Sequence, residues 1–196
     1  QSHPKPATES LTPLATAKEK QPGISVGTTA AHLAFEDTQL NSFDPDYKLI
    51  PPIRDTQQRT ALIEAVKSGL IDVIGSGHHA QSIEEKNVQF ELAEPGMLGL
   101  QTAFSLIYTH LVATEVLSLG ETIERLSIKP RSILGLPPVS IAIGQTANLS
   151  LFQPQASWTL GTEHMPSRAK NSPLIGQSLQ GKVLGIYHKG ALKLNS

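Results

Sequence analysis

The stretch Ile71-Asp72-Val73-Ile74-Gly75-Ser76-Gly77-His78-His79-Ala80-Gln81 predicts a buried strand that ends in a polar loop. The first part is mostly apolar or β-branched, and the turn that follows is rich in glycine, serine and histidine. A short apolar run bounded by turn residues is typical of a buried parallel strand. In α/β barrels the loops after such strands carry the chemistry, so residues 76–81 are the first place to look for a site.

A helix precedes this strand, and another strand lies further upstream. Asp55 is a typical N-cap, apolar residues between positions 61 and 66 form one stripe, and Gly69 ends the pattern. Residues 24–29 alternate and are β-branched, which predicts a strand. This strand–helix–strand order predicts a right-handed parallel crossover.

Other elements are expected on both sides of this unit. We expect a short helix at 11–17, a helical turn at 35–40, an extended segment at 48–54, a loop at 76–96, and helices at 99–114, 121–126 and 130–134. Beyond Pro137-Pro138 the pattern changes to short strands, which we place at 148–152, 157–160, 182–187 and 191–194. The chain therefore predicts an α/β part followed by a small β part.

Composition excludes several classes of function. With 196 residues and a net charge of -1, the chain has no basic stripe for nucleic acid and no acidic tail. It has no apolar run long enough to span a membrane and no apolar stretch typical of a signal peptide near its start. The absence of cysteine excludes disulfides and thiolate metal sites, and fits the cytoplasmic location that we expect.

Several stretches, in order along the chain, resemble one known family. Residues 43–54, which end in Pro51-Pro52-Ile53-Arg54, are similar to its approach to the seventh strand, and residues 61–74 to the helix and strand that follow. Residues 96–103 look like the next helix, and residues 133–136, 171–173 and 179–183 look like the β-sandwich appended to the barrel. The family is the dihydroorotases of the longer, multi-histidine type, in the amidohydrolase superfamily, and the resemblance covers residues 24 to 190.

The resemblance implies a fold class and two domains. Residues 1–136 would form the C-terminal part of a (β/α)₈ TIM-type amidohydrolase barrel, and residues 137–196 a small β-sandwich domain. A complete barrel needs about 250 residues. We therefore expect the chain to be the C-terminal half of a longer polypeptide.

The resemblance also implies a reaction, the reversible closure of carbamoyl-aspartate to dihydroorotate. Metal ions polarise an amide carbonyl and activate a water, and an aspartate on the last strand relays the proton. That strand ends in Thr-Asp-His-Ala-Pro-His in the family, so Gly77 stands in the place of the aspartate. Glycine can neither bind a metal nor accept a proton, so the position is lost to catalysis.

A metal-ligand position is lost on the preceding strand. The family reads Thr-Pro-His-His-Leu where this chain reads Thr29-Ala30-Ala31-His32-Leu33, which puts Ala31 at the ligand. Shifting the alignment by one residue would make His32 the ligand, but it would move the strand-end side chains to the opposite face of the sheet. The alternative is that His32 is a satisfied histidine at a strand end.

Two further metal candidates carry weaker signals. His3 has the spacing of the family's fifth-strand ligand, and its alternative is an ordinary loop residue. His78 matches the histidine after the aspartate, and His79 lies beside it. Adjacent residues on a strand face opposite ways, so the two could share a metal only in a loop. The alternative is a pair of polar loop histidines.

The substrate contacts implied by the family are also replaced. Gln81 stands for a substrate-binding histidine, Ile50 for an asparagine beside the two prolines, and Glu94-Pro95-Gly96 for Pro-Phe-Gly. Because these changes occur together with the loss of the base and the ligand, we predict no catalytic, substrate-binding or metal site in this chain and no cofactor.

The resemblance then implies a structural role. In inactive relatives the dihydroorotase-like protein binds the catalytic chain of aspartate carbamoyltransferase and supports its assembly, so we expect a hetero-oligomer. The polar segments 76–96 and 159–170 are candidate interfaces, and the alternative is that both are solvated loops. Two competing hypotheses are an active, zinc-dependent cyclic amidohydrolase that uses ligands from the missing N-terminal half, and a ligand-binding regulatory domain.

Overall fold

The computed structural model describes residues 7–21 and 23–195. Its helices are α1 (Ala7–Lys20), α2 (Ala30–Ala34), α3 (Thr56–Lys67), α4 (Ile83–Lys86), α5 (Ala103–Ile107), α6 (Leu119–Ile123) and α7 (Lys129–Ile133). Its strands are β1 (Gly27–Thr29), β2 (Val73–Gly75), β3 (Leu149–Thr159), β4 (Ser178–His188) and β5 (Ala191–Leu194). Short 3₁₀ turns cover Asp37–Ser42, Pro45–Tyr47 and Thr162–His164, and π-helical turns cover Tyr108–Val112 and Glu124–Ile128.

Strands β1 and β2 lie side by side and run parallel, with Gly27 opposite Val73 and Thr29 opposite Gly75. Helix α3 lies between them in the chain, so the predicted parallel crossover is confirmed. The carboxyl ends of both strands meet at one edge, which brings the segments after Thr29 and Gly75 together. This edge positions the candidate site.

The helix between the two strands forms for the reason the sequence indicates. Asp55 accepts a hydrogen bond from the Gln58 N–H at 2.8 Å, which caps one of the unpaired amides at the start of α3. Of the predicted stripe Ala61, Leu62, Ala65 and Val66, the last two are buried together with Ile63, while Ala61 and Leu62 are half-buried. Gly69 follows with a left-handed φ of 81°. The Gly residue is suited to this conformation because it has no β-carbon.

Several predicted helices have different bounds. The helix predicted at 11–17 runs from Ala7 to Lys20, and the one predicted at 99–114 begins only at Ala103. The two short helices predicted at 121–126 and 130–134 are one helical segment, because a π-helical turn at Glu124–Ile128 joins α6 to α7 and leads into Pro130. The loop predicted at 76–96 contains the short helix α4.

Some predicted strand bounds were also wrong. The strand predicted at 24–29 is short, and helix α2 starts directly after it at Ala30. The strands predicted at 148–152 and 157–160 are one strand, β3, which pairs with β4. The register of this pairing is irregular between Gln153 and Ser157, where Pro154 cannot donate a ladder hydrogen bond.

The C-terminal strands form an antiparallel sheet in the order β3-β4-β5. One hydrophobic core nevertheless joins the two parts of the chain, since Leu160, Leu174 and Leu179 belong to the same buried cluster as Leu33 and Leu106. The domain boundary at 136/137 therefore stays a prediction. Within the described residues, no helix is long and apolar enough to cross a membrane.

Asp72 ties α1 to the start of the parallel strand pair. Its carboxylate accepts hydrogen bonds from Lys18 Nζ at 2.8 Å and from the Val26 N–H at 2.8 Å. Lys18 also donates to the backbone carbonyls of Gly69 and Leu70. Burial alone would raise the pKa of Asp72, but the two hydrogen bonds and the charge of Lys18 outweigh it and hold the pKa below its ordinary value of 3.8.

We expect the substitution Asp72→Asn to lower the free energy of unfolding by about 1–2 kcal/mol at pH 7, because it removes charged hydrogen bonds. Since the folded pKa of Asp72 lies below 3.8, its contribution is complete above that value and is lost as pH falls through the folded pKa. The difference between wild type and variant should therefore shrink below pH 3.8, as measured by urea unfolding at several pH values.

The matched control for this experiment is Glu64→Gln. Glu64 pairs with Lys67 at 3.2 Å, but its side chain is 61% exposed, so water screens the interaction. This variant should cost less than about 0.5 kcal/mol at any pH. A cost for Asp72→Asn that equals the control, or that is the same at pH 7 and below pH 3, would contradict the role of Asp72.

Candidate functional site

A cleft of about 340 Å³ opens at the carboxyl ends of β1 and β2. Its walls come from four segments: the end of β1 with the start of α2, the extended chain before Pro51, the loop after β2, and the turn at Pro95. The residues that line it are Thr29, Ala31, His32, Leu49, Ile50, Gly77, His79, Pro95 and Gly96. Both positions at which the sequence predicts a lost catalytic function, Ala31 and Gly77, therefore face one cleft.

Ala31 and His32 lie in helix α2 and not at the end of a strand. Ala31 is almost fully buried, with 2% of its surface exposed. The expected alternation of strand side chains does not apply at these positions, because β1 ends at Thr29 and the helix begins at Ala30. His32 is thus satisfied in a helical turn, which corrects the expectation of a strand-end histidine.

Both ring nitrogens of His32 have hydrogen-bond partners. Nε2 lies 2.8 Å from the carbonyl oxygen of Pro51, and Nδ1 lies 2.7 Å from Oγ1 of Thr29. A carbonyl can only accept, so Nε2 carries the proton and Nδ1 accepts from the Thr29 hydroxyl. Burial and the charge of Arg54 lower the pKa of His32, whereas the hydrogen bond to Pro51 raises it. The net shift is downward, which favours the neutral ring.

Gly77 adopts a left-handed conformation, with φ of 63°, directly beside Thr29. A β-carbon at position 77 would lie 3.0 Å from the Thr29 β-carbon and 3.2 Å from its methyl group. These distances are shorter than ordinary van der Waals contacts between carbon atoms, which lie near 3.5–4.0 Å. A side chain at this position would therefore require Thr29 to shift by a few tenths of an ångström.

His78 and His79 face different surroundings. The Nδ1 atom of His78 accepts hydrogen bonds from the backbone N–H groups of Gly99 at 3.2 Å and Leu100 at 3.4 Å. His79 lies in the wall of the cleft, and its N–H donates to the Met97 carbonyl at 2.8 Å. The ring of His78 therefore binds the backbone at residues 99 and 100, whereas His79 borders the cleft.

Asn171 connects three separate segments around the cleft. Its Nδ2 donates to the carbonyl oxygens of His79 at 3.0 Å and Gly96 at 3.1 Å, and its Oδ1 accepts from the Gln81 N–H at 3.1 Å. Its own carbonyl accepts from the Leu98 N–H at 2.9 Å. Only 5% of Asn171 is exposed, so these bonds satisfy polar groups that have little access to water.

Two lysines hold the rest of loop 76–96. Lys86 is 8% exposed, and its Nζ donates to the carbonyl oxygens of Pro45 and Glu94. Burial lowers the pKa of Lys86, while Asp46 at 4.0 Å opposes the shift. Lys48 Nζ donates to the Phe90 carbonyl at 2.9 Å. The loop is therefore anchored to the main body at both lysines.

The replaced substrate positions have local structural roles or are exposed. Gln81 Nε2 donates to the Pro95 carbonyl at 2.8 Å, which closes the loop onto the turn at 94–96. Ile50 is 79% exposed at the rim of the cleft. Glu94 lies on the surface, and its N–H donates to the Glu85 carbonyl at 3.1 Å.

Comparison with known proteins shows that this chain is similar in sequence to curated dihydroorotases. The chain is 33% identical over 184 residues to the dihydroorotase of Caldicellulosiruptor saccharolyticus and 35% identical over 184 residues to that of Bacillus subtilis. Each match covers 94% of this chain and 43% of the relative, so the chain spans less than half the length of the curated relatives it matches. No model of a protein family matches the chain.

The chain is homologous to dihydroorotases over this segment.

Solved structures show the same fold. The L-hydantoinase (dihydropyrimidinase) of Arthrobacter aurescens superposes with a TM-score of 0.86, covering 97% of this chain and 43% of that one, at 23% identity. The inactive dihydroorotase-like domain of a Chaetomium thermophilum CAD-like multifunctional protein superposes with a TM-score of 0.67, covering 95% of this chain and 49% of that one, at 17% identity. The predicted fold class, the C-terminal part of an amidohydrolase barrel with a small β domain, is confirmed.

Within the described residues, the donors of this dihydroorotase-like segment do not by themselves complete a metal site. Alanine and glycine occupy two wall positions, and Nδ1 of both His32 and His78 already accepts hydrogen bonds. Among the described residues, no group of three histidine, aspartate or glutamate side chains is placed to hold a metal ion. His3, the remaining candidate, lies outside the described residues.

Two residues that shape the cleft were not singled out from the sequence. Thr29 was noted only as part of a motif, and Asn171 only as part of a stretch that resembles the family. Thr29 is the N-cap of α2, but no local pattern indicates its contact with position 77. Asn171 lies 75 to 92 residues from the loop groups that its side chain binds. A polar residue next to Ser172 and Pro173 is equally typical of a surface turn.

We expect Asn171→Ala to lower the free energy of unfolding by about 2–4 kcal/mol, because the carbonyls of His79 and Gly96 and the N–H of Gln81 lose their partner. Urea unfolding monitored by circular dichroism measures this. The control is Asn195→Ala, since Asn195 is exposed and its Nδ2 makes a bond of 3.0 Å to the Val183 carbonyl. Equal costs for the two variants would show that Asn171 does not hold the loops.

Proposed function

We propose that this protein is a non-catalytic dihydroorotase homologue of pyrimidine biosynthesis that acts as a structural partner of the aspartate carbamoyltransferase catalytic chain. The observation that carries the proposal is that the cleft lacks the side-chain groups that the family's reaction needs. Gly77 leaves no group to relay a proton, and His32 offers no free nitrogen to a metal. A barrel with this cleft can still contribute its outer loops to an assembly.

A solved relative supports the idea that this fold occurs without activity. The Chaetomium domain is described as an inactive dihydroorotase-like domain within a multifunctional protein. Its similarity to this chain is one of fold, with 17% identity. It therefore supports a non-catalytic role as a precedent for the fold, and the partner follows from the resemblance to inactive relatives.

Loop 76–96 is the better of the two candidate interfaces. It exposes three large apolar side chains: Ile83 is 73% exposed, Val88 41% and Leu92 72%. The segment 159–170 instead buries its apolar residues Leu160 and Met165 in the core. Since loop 76–96 exposes more large apolar side chains than segment 159–170, and exposed apolar surface is typical of interaction sites, we propose the partner contact on loop 76–96.

The second candidate function is an active, zinc-dependent dihydroorotase. The observation in its favour is the identity of 33–35% with dihydroorotases over almost the whole chain. In this case the metal ligands and the base would come from residues of a longer polypeptide that lie outside this 196-residue sequence. The two functions differ in metal content and in turnover, so a single preparation distinguishes them.

We expect the purified full-length protein to contain substoichiometric zinc and to hydrolyse dihydroorotate at least about a hundredfold more slowly than an active dihydroorotase, because a positioned general base contributes at least that factor. Metal analysis and an assay with added zinc measure the two quantities. The control is the Bacillus subtilis enzyme in the same buffer. One or two tightly bound zinc ions together with turnover would favour the alternative function.

We expect the protein to co-purify with the catalytic chain of aspartate carbamoyltransferase, and the double substitution Ile83→Glu and Leu92→Glu to weaken this association at least about tenfold, because each buries a charge in an apolar contact. Size-exclusion chromatography with light scattering and a binding titration measure it. Leu134→Glu is the matched control, since Leu134 is also 72% exposed but lies outside the loop. An unchanged affinity of the loop variant would show that loop 76–96 is not part of the interface.

A further inference from the structure

Lys86 ties the middle of loop 76–96 to the rest of the protein. We call residues 82–89 of this loop the strap, and the structure describes all of them. Lys86 is the buried residue of the strap, and each of the other seven is exposed. The strap is therefore held down by one ammonium group and not by an apolar core.

The ammonium group of Lys86 contacts two separate segments. It donates to the carbonyl oxygen of Pro45, which lies in the turn Pro45–Tyr47 beneath the loop. It also donates to the carbonyl oxygen of Glu94 at 3.0 Å, and a carboxylate oxygen of Asp46 lies 4.0 Å away. One side chain thus joins the strap both to the main body and to the far end of its own loop.

Helix α4, which forms the first half of the strap, cannot hold this position by itself. It has only four residues, and its cap is the reciprocal pair of hydrogen bonds between Ser82 and Glu85. A helix of this length is not stable in water without tertiary contacts. Since its other residues are exposed, the contacts of Lys86 supply the tertiary hold.

The closed position also has a cost. Burial lowers the pKa of Lys86, and Lys48 acts in the same direction, while Asp46 and Asp44 oppose the shift. A buried ammonium group loses hydration that it would regain if the strap opened. Because opening would expose no apolar core, the free energy of this local opening is small compared with that of global unfolding.

The chain on both sides of the strap is bound independently of Lys86. On one side, the Gln81 N–H donates to Asn171 at 3.1 Å. On the other side, Lys48 Nζ donates to the carbonyl oxygens of Phe90 at 2.9 Å and Glu91 at 2.8 Å. The strap therefore lies between two fixed ends, so it can open while its neighbours stay in place.

We infer that Lys86 is a latch that holds the strap closed, and that its release opens the strap locally while the rest of the fold stays intact. The closed strap presents Ile83 and Val88 at the surface where the partner contact is proposed. This consequence for the partner rests on the proposed function. The apparent dissociation constant is then the intrinsic constant divided by the closed fraction of the strap.

Hydrogen–deuterium exchange of the full-length protein tests the latch with the variant Lys86→Met, which keeps an unbranched side chain and removes the ammonium group. We expect wild type to protect the amides of residues 82–89 at least about tenfold relative to an unstructured peptide. In Lys86→Met they should exchange within about threefold of that peptide. Exchange at residues 103–112 should be the same in both proteins.

The matched control is Lys48→Met, because Lys48 also binds carbonyl oxygens of this loop, but at residues 90 and 91. This variant should speed exchange at residues 90–93 and leave residues 82–89 protected. Equal protection of the strap in wild type and Lys86→Met would overturn the latch. So would a strap that opens as much in Lys48→Met as in Lys86→Met.

Proteolysis of the wild-type full-length protein tests the local opening without any variant. Trypsin can cut after Lys86 only when this buried side chain leaves its contacts. We expect cleavage after Lys86 to be at least about tenfold faster than after Arg59, which lies in α3 and pairs with Glu36 at 2.9 Å. Equal rates at the two sites would show that Lys86 is released only by global unfolding, and would overturn the inference.

A binding titration with the catalytic chain of aspartate carbamoyltransferase tests the consequence for the partner. We expect Lys86→Met to bind at least about threefold more weakly than wild type, because its strap is mostly open. An unchanged affinity in a variant whose strap is open would overturn the link between the latch and the partner. If wild type does not bind the catalytic chain, the proposed function fails, whereas exchange and proteolysis still decide whether Lys86 is a latch.

Discussion

The side-chain amide of Asn171 is the interaction on which the arrangement around the cleft depends. It reaches from the C-terminal part of the chain to the loop after β2 and to the turn at Gly96, and it satisfies a polar group on each. Buried backbone groups without partners cost free energy, so this small amide stabilises the packing of these loops. The C-terminal part thus supports the cleft as well as forming its own sheet.

The cleft keeps the shape of a barrel site while its polar groups are directed at the protein itself. His32 is held between Thr29 and the Pro51 carbonyl, and His78 accepts from the backbone at residues 99 and 100. Gln81 closes onto Pro95. In a catalytic site such groups would point at a ligand, whereas here they are used to hold loops in place, which is consistent with a structural role.

Loop 76–96 combines a fixed backbone with exposed apolar side chains. Lys48 and Lys86 bind its backbone carbonyls, and Lys86 is nearly buried in doing so. A loop fixed in this way loses little conformational entropy when a partner binds. Its apolar side chains at positions 83, 88 and 92 remain on the surface, where the partner contact is proposed.

The sequence by itself determined the parallel β-α-β unit, the cap at Asp55, the change to strands in the C-terminal part and the absence of a carboxylate at position 77. These features depend on periodicity, turn residues and the identity of single side chains, which are local. Only the tertiary structure decided the contact of His32 with Pro51, the contact between Thr29 and Gly77, and the role of Asn171, because these contacts join residues that are not neighbours in the sequence. The length of β3 and the helical surroundings of Ala31 were decided in the same way, since packing and pairing can override a proline or a β-branched pattern.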